Sequence, residues 1–333
     1  MKYLAIALAS AALTGAQTPA ISIRPHTAAP SLGAGPVSTA PRMGVPILGY
    51  IAGPGALELH MIVGTAKAAQ LGDPIALPSG VKHMFVPPRQ HYLLLESKAS
   101  ESLAVWSPMS GASDETPLPG ALAHPDSVAF SARGDAAVLY SNSADQLQSV
   151  TGLPAEPSVA SWPAIRKFGE AASFAVSDDG AVIVVTLADK TAIASSLGGE
   201  WQSLPQASNA HAVLFVPHTH DIIVSDTSQQ TLTLVANVTS QTQSVRLVAH
   251  HVAADRLAFT KEGTVLLAAS SAQSKLWTVV LKTMTPVPAS TSQIDTLLPL
   301  RDGHTFLLSS PGVTLLNVPV ESDSVAGFVP VTR

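Results

Sequence analysis

The sequence predicts an all-β fold, a β-propeller, because one pattern recurs six times between Val81 and Leu300. Each copy has a short apolar strand, a turn and a second β-rich strand, and aligned copies stand 45, 46, 39, 44 and 40 residues apart. The alignment rests on one shared position, which is occupied by Phe85, Phe130, Val176, Phe215, Phe259 and Pro299. A period of about 40–45 residues with roughly four strand-sized segments per unit is typical of propeller blades.

The repeat divides the chain from Pro46 onward into a short first unit and six nearly complete ones. The complete units are expected at 79–122, 123–168, 169–207, 208–252, 253–291 and 292–330. Residues 46–330, 285 in all, contain about seven periods of about 42, so seven blades of four antiparallel strands are favoured. Six blades, with the first unit completing the last sheet, is the alternative. We also expect the first and last strands to share a blade, because closing the ring removes exposed edges.

The turns between paired strands carry glycine at matching places. The pairs are Arg133-Gly134, Asp179-Gly180, Glu262-Gly263 and Asp302-Gly303. A tight hairpin needs a positive φ at such a position, and glycine adopts it without steric cost.

The N-terminus predicts export. Residues 1–16 are typical of a signal peptide, with Lys2 followed by the apolar stretch from Tyr3 to Leu13 and the small residues Thr14 and Ala16. Residues 17–45 are rich in Pro, Ala, Ser, Thr and Gly and predict a disordered leader, and residues 46–333 form the predicted propeller domain. We therefore expect the mature protein in the periplasm or outside the cell.

The composition excludes several classes. The chain has no cysteine, so a disulfide framework is excluded. Apolar residues make up 46% and charged residues 12%, which fits sheets packed on both faces. The net charge of −5 and the absence of a Lys/Arg stripe argue against nucleic acid as a partner. No segment has the ~20 unbroken apolar residues of a membrane-spanning helix. A monomer is expected, because a closed propeller has no exposed edge that forces pairing.

Two units resemble a known type of repeat. Ser177–Val185 reads SDDGAVIVV, and Phe130–Tyr140 reads FSARGDAAVLY. Both resemble the strand-turn-strand of bacterial secreted propellers with YVTN/NHL-like repeats, and no unit has the GH…WD signature of WD40 blades. The resemblance implies a propeller fold. It does not imply one reaction, because that superfamily includes lactonases, lyases and pure binding modules.

One column of residues is a candidate metal site. Four positions before the aligned residue stand Asp126, His211, Asp255 and Asp295, at the predicted start of the innermost strands. Oxygen and imidazole ligands suit a divalent cation such as Ca²⁺ or Mg²⁺. Lys82 and Arg256, one position along, are candidate ligand-binding residues. The alternative is that the aspartates only accept hydrogen bonds at strand starts.

Three functions follow from these features. The favoured one is an exported, non-catalytic binding propeller without a cofactor, which presents loops to a protein or cell-envelope ligand. It is favoured because the sequence has no G-x-S-x-G, P-loop or G-x-G-x-x-G motif. The alternative is a metal-dependent, lactonase-like hydrolase or lyase at the channel mouth. A carbohydrate-binding propeller, the third, requires tryptophans exposed on one rim, from the set Trp106, Trp162, Trp201 and Trp277.

Overall fold

A computed structural model describes residues 46–52, 58–98, 102–109, 115–240, 242–290, 294–308, 314–318 and 327–330. Val45–Arg333 forms one compact unit. The predicted signal peptide, 1–16, and the predicted leader, 17–45, lie outside the described residues. Within the described ranges, no helix is both long and apolar enough to cross a membrane.

The described strands form seven antiparallel sheets, each built from strands that are consecutive in the chain. Blade 1 has three strands, β1 (Ile47–Ala52), β2 (Leu59–Thr65) and β3 (Ala68–Ile75). Blade 2 contains β4 (Val81–Phe85), β5 (Leu93–Ser97), β6 (Leu103–Trp106) and β7 (Glu115–Pro117). Blade 3 contains β8 (Ser127–Phe130), β9 (Ala137–Ser141), β10 (Gln146–Thr151) and β11 (Ser158–Trp162). Blade 4 contains β12 (Ala171–Val176), β13 (Val182–Leu187), β14 (Ala192–Ser196) and β15 (Gln202–Ser203).

The remaining three blades repeat the four-stranded plan. Blade 5 contains β16 (Ala212–Phe215), β17 (Ile222–Asp226), β18 (Thr231–Ala236) and β19 (Ser244–His250). Blade 6 contains β20 (Arg256–Phe259), β21 (Val265–Ser270), β22 (Lys275–Val280) and β23 (Thr285–Ser290). Blade 7 contains β24 (Leu298–Pro299), β25 (Thr305–Leu308), β26 (Thr314–Asn317) and β27 (Gly327–Pro330). Two 3₁₀ turns, Arg166–Phe168 and Pro205–Ala207, lie in the connections after blades 3 and 4. The prediction of seven blades with a short first unit is confirmed.

The ring is closed in a way that the sequence did not predict. The expected shared blade is wrong for the described strands, because no sheet combines β1–β3 with strands from the C-terminal end. Blade 7 instead packs against blade 1 through one apolar cluster of Leu48, Ile62, Ala69, Leu300, Leu307 and Leu315. The backbone N–H of Arg301 also donates to the carbonyl of Leu48 at 3.0 Å. Side-chain burial and a hairpin contact therefore join the two blades.

The middle strands of each blade form the core. Every residue of β9 and of β13 is buried, which fits their nearly continuous apolar sequences. One apolar cluster joins blades 4 and 5, and another joins blades 3 and 4. Each sheet is thus covered on both sides by its neighbours, which explains why so few charged residues are needed.

The two faces of the ring differ in what they expose. The first strands of blades 3 to 7 lie innermost, each beside the first strand of the next blade. We call the face at which these strands begin the open face. The opposite face carries the hairpins between first and second strands, and we call it the hairpin face. The predicted positive φ is confirmed there at Gly134, Gly180, Gly263 and Gly303.

Candidate functional site

A buried carboxylate lies at the open face between blades 2 and 3. Glu96 ends the apolar run of β5 and is 1% exposed. Its Oε1 accepts a hydrogen bond from Lys82 Nζ at 2.9 Å, and Nδ1 of His124 lies 2.5 Å from the same oxygen. Its Oε2 lies 2.7 Å from Nδ1 of His83. We call Glu96, Lys82, His83 and His124 the Glu96 cluster.

The electrostatics of the Glu96 cluster favour an ionised acid beneath a basic rim. Burial raises the pKa of Glu96, but the hydrogen bonds from Lys82, His83 and His124 outweigh it and lower that pKa to about 2. The side chains of the three partners are 41%, 58% and 48% exposed, respectively, whereas that of Glu96 is 2% exposed. A carboxylate held ionised this firmly is a poor proton donor or acceptor near neutral pH, since a general acid or base works best with a pKa near the operating pH.

The aspartates of the predicted column hold the ends of neighbouring strands. Oδ2 of Asp126 accepts a hydrogen bond from the backbone N–H of Asn142 at 2.7 Å. Asp255 accepts one from the backbone N–H of Ser271 at 3.1 Å and another from its hydroxyl. In both blades the aspartate precedes the first strand and reaches the residue just after the second strand. These contacts are those of the strand-start acceptor alternative.

The structure places the four column residues at the open face but does not gather them around one point. His211 and Asp255 line a shared cavity, in which neither Asp126 nor Asp295 takes part. Nδ1 of His211 lies 3.2 Å from the carbonyl oxygen of Asn209. Within the part of the chain that the structure describes, no group of three or more His, Cys, Asp or Glu side chains is arranged to hold a metal ion. The metal site of the sequence analysis stays a prediction.

Two adjacent cavities are lined by the first strands of several blades. One, which we call the vestibule, has a volume of about 270 Å³ and is lined in part by His211, Asp255 and Arg256. The other, which we call the chamber, has a volume of about 430 Å³ and is lined mainly by apolar side chains of blades 2, 3, 5, 6 and 7. Arg256, Leu257 and Leu297 line both cavities, so the two adjoin at these residues.

Arg89 connects blades on the hairpin face. The backbone N–H of Arg89, in blade 2, donates to the carbonyl of Pro299 in blade 7 at 3.0 Å. The guanidinium of Arg89 donates to the carbonyl of Lys261 in blade 6, also at 3.0 Å. Arg89 thus joins three blades across the hairpin face.

A second network ties neighbouring hairpins together. Oδ1 of Asp178 accepts a hydrogen bond from the backbone N–H of Arg133 at 3.0 Å, and its Oδ2 accepts one from the backbone N–H of His218 at 2.9 Å. Nε2 of His220 lies 2.9 Å from Asp179. The charged groups of this face are therefore largely paired with adjacent blades.

The tryptophans do not form a sugar-binding platform. Trp106, Trp162, Trp201 and Trp277 are 1%, 7%, 7% and 5% exposed. Trp162 and Trp201 lie with their ring centroids 6.1 Å apart between blades 3 and 4. The rings exposed on one rim that a carbohydrate-binding propeller would require are not found at these four residues, because all four pack within or between sheets.

Sequence reasoning selected Lys82 but missed Glu96. The sequence did contain one signal for Glu96, which directly follows Leu93, Leu94 and Leu95. A carboxylate at that position must either be buried with the apolar strand or end the strand. A buried carboxylate needs partners, and the adjacent strand begins with a lysine and a histidine. Arg89 carried no comparable signal, because its contacts depend on the closure of the whole ring.

Comparisons with known proteins support the fold and give no family. No protein-family model matches the sequence, and no curated protein matches it. Hydrazine synthase of Kuenenia stuttgartiensis is similar in structure, with a TM-score of 0.53 and 11% identity over 82% of this chain and 92% of that chain. A functionally unknown protein from Desulfotomaculum acetoxidans has a TM-score of 0.50 and 11% identity over 86% of this chain and 99% of that chain. At such identities the likeness shows the fold alone, and the chain is a seven-bladed β-propeller.

Proposed function

We propose that this chain is an exported, non-catalytic binding propeller that holds an acidic protein or cell-envelope ligand at its open face. The observation that supports this most directly is the Glu96 cluster. It presents Lys82, His83 and His124 as a partly exposed basic rim over a carboxylate that is already satisfied. The ammonium of Lys82 has three N–H donors and uses one on Glu96, so it can still bind an acidic group, although the chain as a whole is acidic.

The condition of the other ionisable groups on this face supports binding over catalysis. The carboxylates of Asp126 and Asp255 accept hydrogen bonds from the backbone N–H groups of Asn142 and Ser271. Glu96, with a pKa near 2, stays ionised at any physiological pH. A hydrolase would need a group free to take up and release a proton, and Glu96, which is held ionised, does not supply it.

The test uses the absence of cysteine from the chain, since any cysteine introduced is the only one. Lys98→Cys places a photo-crosslinker on the open face beside the Glu96 cluster, and Lys282→Cys places the same group on the hairpin face. Both lysines are exposed. The labelled proteins are irradiated with an envelope extract of the source cell, in the presence of polyglutamate or of polylysine as competitor.

We expect cross-linked products from Lys98→Cys only, and we expect polyglutamate to suppress them while polylysine does not. Equal labelling from both faces, or no product that polyglutamate suppresses, would overturn the assignment of the ligand to the open face. Export is tested separately by the mass of the protein recovered from the periplasm or medium. A chain that begins at Gln17 is the expected result, and an intact N-terminus inside the cell would contradict it.

A further inference from the structure

The chamber adjoins the vestibule at a junction of three residues that line both cavities, Arg256, Leu257 and Leu297. On the hairpin face Arg89 ties blade 2 to blades 6 and 7. The chamber's volume of about 430 Å³ lies within the range of about 300–1,000 Å³ that is common for small-molecule sites.

The lining of the chamber favours an apolar body. Phe130, Leu214, Phe259 and Leu298 belong to four different blades and all line it. Ser131, one of its few polar side chains, uses its hydroxyl to accept a hydrogen bond from the backbone N–H of Ala136 at 3.2 Å. A compact apolar group placed among these side chains would bury its own apolar surface and theirs from water, which is favourable.

The junction between the cavities carries the positive charge of Arg256. Arg256 opens β20, is exposed, and lines both cavities. Among the described residues no carboxylate forms an ion pair with its guanidinium, and the adjacent Asp255, which also lines the vestibule, accepts hydrogen bonds from Ser271. Guanidinium groups bind carboxylates through paired, charge-assisted hydrogen bonds.

From the chamber, the vestibule that adjoins it and the exposed arginine that lines both, we propose that the channel binds a small carboxylate with a compact apolar body, held by Arg256 at the junction. The apolar body occupies the chamber, and the carboxylate faces the vestibule. This site goes beyond the proposed function, because its ligand lies inside the ring rather than on the rim of blades 2 and 3.

The experiment measures the affinity of the propeller for three probes with one apolar body: naphthoate, naphthylmethanol and naphthylmethylammonium. Titration calorimetry with the intact chain gives each dissociation constant. We expect naphthoate to bind most tightly. Arg256→Ala should weaken naphthoate about tenfold and leave naphthylmethanol unchanged, since only the carboxylate loses its charge-assisted bonds. Arg246→Ala, which removes an exposed arginine on the outer strand β19, is the matched control and should change neither.

A second variant tests the position of the body. Leu257→Trp narrows the junction and should weaken naphthoate and naphthylmethanol alike, provided that far-UV circular dichroism shows the native fold. If that variant does not fold, the comparison of Arg256→Ala with Arg246→Ala decides alone. The proposal is overturned if the wild type binds no probe, if it binds the ammonium probe as tightly as naphthoate, or if Arg256→Ala leaves naphthoate binding unchanged. None of these outcomes depends on cross-linking at the outer rim.

Discussion

Glu96 and His83 are cross-strand partners in blade 2, and Nδ1 of His83 lies 2.7 Å from Oε2 of Glu96. Lys82 and His124 occupy the other oxygen. Because the carboxylate is buried while its partners are about half exposed, these hydrogen bonds replace the water that Glu96 loses on folding. His124 comes from the connection to blade 3, so this one carboxylate also links two blades.

Replacing Glu96 by glutamine should destabilise the propeller. Glu96→Gln keeps the shape of the side chain but removes its charge, and its amide group presents hydrogens to donors that need an acceptor. We expect the free energy of unfolding to fall by about 2–3 kcal/mol, measured by urea denaturation. Glu58→Gln is the control, because the side chain of Glu58 is 55% exposed and lies 3.9 Å from His60. Its effect should stay below about 0.5 kcal/mol, and equal losses for both variants would contradict the prediction.

The contribution of Glu96 should disappear in acid. Its pKa in the folded protein lies below the ordinary value of 4.5, at about 2, so the ionised form stabilises the fold above pH 4.5. That stabilisation, about 3 kcal/mol, is lost as the pH falls from 4.5 to about 2. The difference in unfolding free energy between the wild type and Glu96→Gln should therefore shrink across this window. A difference that stays constant with pH would show that the carboxylate is not the group responsible.

Asp178 should control the dynamics of two hairpins at once. Its carboxylate accepts the backbone N–H groups of Arg133 in blade 3 and His218 in blade 5. In Asp178→Ala both amides lose their acceptor, and we expect each to exchange with deuterium about tenfold faster. Asp189→Ala is the control, since within the described ranges Asp189 accepts hydrogen bonds from Thr191 in its own turn and from no other blade. Faster exchange at one of the two amides alone would show that the hairpins are not coupled through Asp178.

Comparison of Gly134→Ala with Gly198→Ala distinguishes the destabilising effect of backbone strain from that of a close contact. Both glycines have a φ of 77°, so alanine is strained at either position. A Cβ at Gly134 would lie 2.8 Å from the carbonyl oxygen of Pro88, whereas a Cβ at Gly198 meets nothing within 4 Å. Gly134→Ala should therefore lose at least about 1 kcal/mol more than Gly198→Ala in denaturant unfolding. Equal losses of unfolding free energy in the two variants would mean that the hairpins of blades 2 and 3 can move apart without a loss of stability.

The sequence predicts what each blade repeats and misses what joins different blades. The strand positions follow from the period, because every blade buries the same apolar strands against its neighbours. In the Glu96 cluster His124 lies outside blade 2, 28 positions from Glu96, and the contact of Arg89 with Lys261 spans 172 positions. No pattern within one repeat encodes these two contacts.

The aspartate column shows the same limit at the scale of one side chain. Alignment of the repeats correctly placed Asp126 and Asp255 at the start of innermost strands. It did not reveal that the backbone N–H groups of Asn142 and Ser271 lie within reach and turn the carboxylates toward the second strand. The location of a residue follows from the repeat, but its orientation depends on which local donors lack a partner.

These orientations lead to the prediction for divalent cations. An ion at about 100 times its dissociation constant adds about 2.7 kcal/mol, which raises the unfolding temperature by about 5–10 °C in a domain of this size. We expect Ca²⁺ and Mg²⁺ to produce no such shift relative to EDTA, because binding would have to break the hydrogen bonds that Asp126 and Asp255 already accept. Asp255→Ala tests this against Asp73→Ala, which removes an exposed aspartate from β3. A shift of that size that Asp255→Ala abolishes and Asp73→Ala keeps would instead favour the metal-dependent hydrolase. A bound ion compensates for the broken hydrogen bonds only if it gains further ligands at the channel mouth.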